Sequence, residues 1–422
     1  MRSGFDFVAM LQSLDAQTVI RAFWFLIFFE VPRYVLANTV SALAASPRVP
    51  SGPADVVRKT VSVIVPCHNG GDGVAKTVAS LHEQTIKDLE IVVVDDGSVD
   101  HTASLAMQLR QHNRISVLVS TGLRGGKSAA LNLGWSYCTG EIIVCVDADT
   151  TFNRDGLECI IAQFDDERIG GVSGNVGVRN AGQSLLATMQ AVEYAISISV
   201  GRRVATMLGV LPIISGAFAA YRSEALQSVG GWEAGPGEDA DLTTKLRRAG
   251  WELGFAANAH ALTDAPVNLA ALHRQRVRWE SDLLRIQWRK YRSLVAPWSR
   301  EFSLRGALTA IDVLLFSIAP PFAFFIYVLS LCATFGSETV PILMVAAIIY
   351  SIIGAATFLL GIEFSGRPEL YRLLPYSFAY GVYSVYIMHP VRLYAFAGEL
   401  IFELSHRSQF APKKVLNRIG RS

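Results

Sequence analysis

The chain has 422 residues, room for one large domain and additional elements. Hydrophobic residues make up 51% and the mean hydropathy is +0.33, high for a soluble enzyme. The net charge of +2 makes no case for nucleic acid as a partner. Cys67, Cys138, Cys145, Cys159 and Cys332 show no C-x-x-C spacing. They read as buried free thiols in a reducing compartment, not as a disulfide or zinc framework. The opening M-R-S-G-F-D-F lacks the basic start, apolar core and cleavage site of a secretory signal.

Ile20 to Ala45 is mostly apolar and long enough to cross a bilayer. Glu30 and Arg33 interrupt it three positions apart, so they can pair on one helix face. A helix lying on the membrane surface is the competing reading. Arg48, Arg58 and Lys59 favour a cytoplasmic location for the next segment, and Ser46 to Ala54, with three prolines, reads as a linker.

A regular alternation then begins. Val61–Val65, Leu89–Val94, Ile115–Val119 and Ile142–Val146 read as strands. Val74–His82, Thr102–His112 and Ser128–Tyr137 read as helices between them. Short apolar strands alternating with helices predict a mostly parallel, doubly wound sheet, an α/β or Rossmann-like plan. From Ser173 to Ala265 the pattern loosens into a helix over Ser184–Val204, a strand over Gly216–Arg222 and a helix starting near Asp239. Ala270–Arg292 is polar and helical.

After Trp298 the composition changes. Leu308–Phe335 and Val340–Phe364 are almost uncharged apolar runs, each long enough to span a membrane. Pro320-Pro321 predicts a kink in the first. Leu373–Leu404 is tyrosine-rich and divided by Pro390 and Arg392, as for a span followed by an amphipathic helix. His406, Arg407, Lys413, Lys414, Arg418 and Arg421 form a basic tail that favours a cytoplasmic C-terminus.

The chemistry concentrates at E-I-I-V-C-V-D-A-D-T, Glu141 to Thr150. An uninterrupted β-branched run is a strand buried on both faces, and ligands bind beyond the carboxyl ends of such strands. Asp147 and Asp149 there offer hard oxygen ligands for Mg²⁺ or Mn²⁺, completed by substrate phosphate; a solvated turn is the alternative. The strands ending near Pro66 and His68, and at Asp95 and Asp96, place these residues beside Asp147, either to accept hydrogen bonds from a nucleoside or as turn and cap residues. Lys127, at a helix start in R-G-G-K-S, is a phosphate holder or a solvated lysine. Glu238-Asp239 opens a helix after Gly235-Pro236-Gly237, so Asp239 is a general base or a helix cap. Gln275, Arg278 and Trp279 share one helix face suited to a diphosphate and a sugar ring, or to lipid head groups with Arg274 and Arg276.

Taken in order, V-S-V-I-V-P-C-H-N, V-V-V-D-D-G-S-V-D-H-T, G-G-K-S-A-A-L-N, V-D-A-D, G-E-D-A-D-L-T and Q-R-V-R-W resemble the processive, membrane-embedded family 2 glycosyltransferases. Cellulose, chitin, hyaluronan and poly-N-acetylglucosamine synthases belong to that group. The resemblance runs from Thr60 to about Arg292. It implies a GT-A fold in a cytoplasmic domain, α-helical transmembrane segments, and an inverting hexosyltransferase that extends a β-linked polysaccharide at the inner membrane and exports it. Pro66, His68, Asp95, Asp96, Lys127 and Asp147 would bind a UDP-sugar or another nucleotide sugar. Asp149 with Asp147 would hold Mg²⁺ or Mn²⁺, Asp239 would be the base, and Glu238, Gln275, Arg278 and Trp279 would serve the acceptor and diphosphate. The partners implied are a glycan or lipid-linked acceptor and membrane lipids, with no nucleic acid.

The organisation expected is an N-terminal helix and linker over 1–50, a transferase domain over 51–265, interfacial helices over 266–306, a membrane region over 307–405 and a basic tail over 406–422. Two departures stand out: Gly237 where many polymer synthases have Thr, and Glu280-Ser281-Asp282 after R-W in place of a glycine-containing stretch. Single addition to a lipid-linked acceptor, and a membrane protein that binds nucleotide sugar without turnover, are the other readings of the same residues.

Overall fold

The computed structural model describes residues 15–32, 59–299 and 302–407. Arg33, Arg48, Arg58, the proline linker and the part of the basic tail from Lys413 on lie outside them. Helix α1 (Ala16–Phe25) continues as a π-helical turn through Glu30. Glu30 is buried, with His389 Nε2 at 3.5 Å.

The alternating half folds as its periodicity dictates. Strand β1 (Val61–Cys67) leads to α2 (Gly73–His82), β2 (Leu89–Asp95) to α3 (Thr102–Gln111), and β3 (Val117–Ser120) to α4 (Lys127–Trp135). Strand β4 (Ile142–Val146) comes next, then a short β5 (Thr151–Phe152) and α5 (Gly156–Ile161). β1 pairs in parallel with both β2 and β4, and β2 with β3. All five residues of β4 are buried. Its side chains divide between two apolar clusters. Ile142, Val144 and Val146 pack with Val74 and Leu157 on one face, and Ile143 and Cys145 with Leu131 and Leu242 on the other. Period-two alternation thus buries both faces of the strand.

The second half adds β6 (Ile169–Val178), α6 (Leu185–Tyr194), α7 (Arg203–Met207), β7 (Phe218–Arg222), α8 (Ser223–Val229), α9 (Glu238–Arg248) and β8 (Glu252–Thr263). The sheet order is β3-β2-β1-β4-β7-β6-β8-β5. β7 lies antiparallel between β4 and β6, β6 pairs in parallel with β8, and β5 closes antiparallel on β8. The sheet is therefore mixed with parallel pairs in the majority, in line with the mostly parallel sheet the sequence predicts, and β7 and β5 are its antiparallel strands. β6 and β8 are absent from the sequence expectation because small residues interrupt their apolar pattern, four glycines among the Ile and Val of I-G-G-V-S-G-N-V-G-V and four alanines in E-L-G-F-A-A-N-A-H-A-L-T.

Small residues there serve close packing. A Cβ added to Gly174 of β6 would overlap the ring of Phe218, and Phe218 is fully buried. Of the cysteines, only Cys67 and Cys145 are buried; Cys138 and Cys159 are half-buried and Cys332 is exposed, so the expectation of buried thiols holds for part of the set, all of them free.

Helix α10 (Leu269–Leu284) runs on through a π-helical turn to Lys290. Beyond it come α11 (Leu304–Val313), α12 (Ala319–Phe335), α13 (Thr339–Ser365), α14 (Leu374–Val382) and α15 (His389–Phe402). Among the described residues one helical run, Leu304–Glu363, of 60 residues and hydropathy 2.4, is long and apolar enough to cross a membrane. It joins the two apolar runs read from the sequence, and Gly336, at φ 54°, breaks it between α12 and α13. Pro320 and Pro321 fall in the first turn of α12, where a missing N–H costs least, so they start a helix after a π-helical turn.

Overpacking of a dense core costs about 1–3 kcal/mol. Gly174→Ala should lower stability by an amount in that range, read as a fall in the thermal or denaturant midpoint of the purified protein. An unchanged midpoint would show that the β6–β7 contact is looser than described.

Candidate active site

The strand register gathers polar ends. Cys67 stands opposite Asp95 and Asp95 opposite Ser120, and Asp147 succeeds β4 on the same edge. Asp95 accepts hydrogen bonds from Ser120 Oγ at 2.8 Å and Ser98 N at 3.2 Å. Asp96 accepts from the backbone N–H groups of Gly125 at 2.6 Å and Gly126 at 2.7 Å. These two bonds pin the loop that opens α4, whose first residue is Lys127. His68 Nδ1 lies 2.9 Å from the Asp96 carbonyl.

Lys127 Nζ donates to Asp147 Oδ1 at 2.6 Å, and Glu238 Oε1 lies 3.6 Å away. A Cβ added to Gly216, just before β7, would meet Lys127 Nζ at 2.9 Å and Asp239 Oδ2 at 3.7 Å. The ammonium therefore sits among Asp147, Glu238 and Asp239. Burial works against its charge, but Asp147, Glu238 and Asp239 more than offset it and hold its pKa above the ordinary lysine value. Burial, then the Asp147 charge, raises the pKa of Asp149. Burial also raises Glu238, with Lys127 opposing and Asp239 reinforcing the shift.

Glu238 and Asp239 occupy the first turn of α9, where backbone N–H groups favour negative charge. Gly237 precedes them with φ 74°, a conformation that favours glycine, and no side chain caps the helix. Asp241 turns away, accepting from Tyr291 Oη at 2.8 Å and pairing with Lys290.

A cavity of about 500 Å³ connects these groups. Asp147, Asp149, Lys127, Glu238 and Asp239 line one part, and Gln275, Arg278, Trp279 and Asp282 of α10 line another. Gln275 Oε1 is occluded and has no hydrogen-bond partner among the described residues. Arg276, of the same helix, is buried and forms a bidentate pair with Glu193 of α6 at 2.9 and 2.7 Å. Its guanidinium lies 4.9 Å from the ring centroid of Trp279, which fixes that indole from behind. Arg276 is thus turned inward, against the reading of this helix as a lipid-facing arginine row. Arg202 also lines the cavity and donates to Ser173 Oγ at 2.8 Å. Burial lowers its pKa to about 10, against the pull of Asp239.

The structure brings together Lys127, Asp147, Asp149, Glu238, Asp239, Gln275, Arg278 and Trp279. Pro66, His68, Asp95 and Asp96 lie at neighbouring strand ends but do not line this cavity. Gly216, Glu193, Arg202, Arg276 and Asp282 join the site without having been singled out as site residues from sequence. Only Asp282 had a readable signal: it continues the Gln275–Arg278 stripe one turn further along α10. No cluster of three or more His, Cys, Asp or Glu groups with metal-holding geometry occurs among the described residues. Asp147 and Asp149 supply two carboxylates, a set that a bound phosphate would have to complete.

The mixed sheet, with an acidic cavity at its strand ends, is a GT-A-like α/β fold. The solved mannosyltransferase PcManGT from Pyrobaculum calidifontis, in complex with GDP-Man and Mn²⁺, shares this fold with a TM-score of 0.61, over 86% of this chain and 96% of that one, at 21% identity. Residues 62–230 match the model of glycosyl transferase family 2, and the chain carries a family 2 glycosyltransferase domain. Poly-beta-1,6-N-acetyl-D-glucosamine synthase of Staphylococcus aureus (strain MSSA476) is 31% identical over 221 residues, 52% of this chain and 53% of that protein. The Staphylococcus epidermidis protein of the same name is 30% identical over 221 residues. The chain spans about half the length of the curated relatives it matches. Lys127, Asp147 and Asp149 fall inside the matched family residues, and Asp239 and the α10 stripe lie beyond them.

Removing one partner of a buried ion pair strands the other charge, at about 3–5 kcal/mol. Arg276→Ala should therefore destabilise the protein by an amount in that range, measured by denaturant unfolding, and Arg276→Ala with Glu193→Gln should recover part of the loss. Equal stability of the single and double variants would contradict the pairing.

Proposed function

We propose that the protein is an inverting sugar transferase that uses a nucleotide-diphosphate sugar, a UDP-sugar in the first instance, to extend a β-linked glycan at the inner membrane. The observation that supports it best is the single cavity lined by Asp149, Lys127 and Asp239. Asp239 takes the proton of the acceptor hydroxyl as that oxygen bonds to the anomeric carbon. The bond from that carbon to the diphosphate breaks on the opposite face, and the electron pair leaves with the phosphate. One base suffices, because no covalent enzyme intermediate forms.

Lys127 holds the diphosphate near its helix start, and Arg278 stabilises the charge that develops on it. Asp147 and Asp149 would hold Mg²⁺ or Mn²⁺, which when bound supplies Lewis-acid stabilisation of the leaving phosphate. The two acidic groups fit a hard cation, since among the described residues the side-chain hydrogen bonds to Asp149, from the Thr150 and Thr263 hydroxyls, are long at 3.4 Å each. Trp279 gives the acceptor ring a flat wall. Pro66, His68, Asp95 and Asp96 bound the nucleoside end, where Asp96 also secures the Lys127 loop. The unit over 51–265 carries this chemistry; the helices over 266–306 complete the site, and the membrane region over 307–405 receives the glycan.

The relatives named as N-acetylglucosamine polymer synthases support a first trial with UDP-N-acetylglucosamine and Mn²⁺ on isolated membranes. Asp239→Asn should keep nucleoside-diphosphate affinity while sugar transfer drops by about 10²-fold or more. Transfer at the wild-type rate would remove Asp239 from its role. Lys127→Ala should raise the donor KM, read from initial rates; a donor KM left unmoved would contradict the diphosphate assignment.

A further inference from the structure

Asp282 is an acid without an assigned partner. It is 8% exposed and lies on the cavity wall. Its Oδ1 is occluded and has no hydrogen-bond partner among the described residues. A buried carboxyl oxygen left unmet is costly, so its geometry calls for a ligand. The charged groups around it are Arg278, Glu238, Arg285 and Asp239. That places it near Glu238 and Asp239 at the start of α9.

Two departures from the pattern this sequence resembles meet here. A Cβ added to Gly237 would stand 3.2 Å from Asp282 Cβ. The bare glycine before Glu238 makes room for the acid that α10 presents after Trp279. On α10, Gln275, Arg278 and Asp282 stand at i, i+3 and i+7, one stripe along the cavity.

Resting on the reading of the reaction given above, we propose that Asp282 determines acceptor specificity: its carboxyl accepts a hydrogen bond from an acceptor-sugar hydroxyl beside the one that Asp239 deprotonates. Burial, with Glu238 and Asp239 adding to it against the pull of Arg278 and Arg285, pushes the carboxyl well above the usual range. A carboxyl oxygen accepts a hydrogen bond from a sugar hydroxyl, which burial of its charge favours over an exposed salt bridge. No bond is made or broken at Asp282; it acts by binding.

The test is initial-rate kinetics on membranes with UDP-N-acetylglucosamine as donor and a β-1,6-linked N-acetylglucosamine tetrasaccharide as acceptor. Loss of one such hydrogen bond corresponds to about a tenfold weaker interaction. Asp282→Ala should raise the acceptor KM about tenfold while the donor KM stays within twofold, and Asp282→Asn, which keeps a carbonyl oxygen there, should recover most of that loss. Binding of nucleoside diphosphate by both variants shows that they are folded. An unmoved acceptor KM in Asp282→Ala, or equal losses in the Ala and Asn variants, would overturn the proposal while leaving the reaction intact. A matching rise in donor KM would assign Asp282 a structural role and also overturn it. No transfer by the wild-type protein would overturn both this inference and the reaction on which it rests.

Discussion

Everything at the site depends on one ammonium held among acids. Lys127 reaches Asp147 at 2.6 Å and Glu238 at 3.6 Å, and Asp239 lies close by. Neither half of the domain supplies this arrangement alone. Lys127 and Asp147 come from the alternating half, Glu238 and Asp239 from α9 in the second half. Packing so many carboxyls in one buried cavity is costly, and the cost appears as the raised pKa values of Asp149 and Glu238. Such a cluster is stabilised by further positive charge, as a divalent cation supplies.

The second constraint is what holds α10 against that cluster. The Arg276–Glu193 pair ties α10 to α6 from within, and Arg392 Nε donates to Glu280 Oε1 at 3.0 Å from the helices beyond. Arg289 Nη2 donates to the Glu399 carbonyl at 2.7 Å. The helix that carries Gln275, Arg278, Trp279 and Asp282 is thus braced both by the α/β domain and by the apolar helical region. The placement of Gln275, Arg278, Trp279 and Asp282 is thereby tied to that of the C-terminal helices, a rigid support for groups that must hold their geometry.

Much of the first half was legible because its physics is local. Ile142–Val146 is short, apolar and β-branched, and the Asp-x-Asp beyond it could only fall at a strand end. The Lys127 helix and the Glu238-Asp239 helix start announce themselves through glycines and charge. The rest was hidden because tertiary packing decides it. The glycines that interrupt β6 serve close approach, Gly170 to Trp251 and Gly174 to Phe218, and the alanines of β8 carry little strand propensity. Arg276 reads as a surface residue until Glu193 is found opposite it, eighty-three positions away in the chain. Gly216 matters because β7 runs antiparallel beside β4, and Arg202 because it reaches Ser173 of β6, and no motif states either. Asp96 illustrates a different limit: its residue type suggested a nucleoside contact, while its oxygens accept from the loop that carries Lys127.

The central claim is that the acids of the two halves share one cation and one activated sugar. The most direct measurement is an experimental structure of the protein with Mn²⁺ and a nucleoside diphosphate, with manganese located by its anomalous scattering. The account predicts a single strong peak within coordination distance of Asp149 and the diphosphate, in the cavity that Asp239 lines. A manganese peak elsewhere, with the diphosphate remote from Lys127, would contradict it.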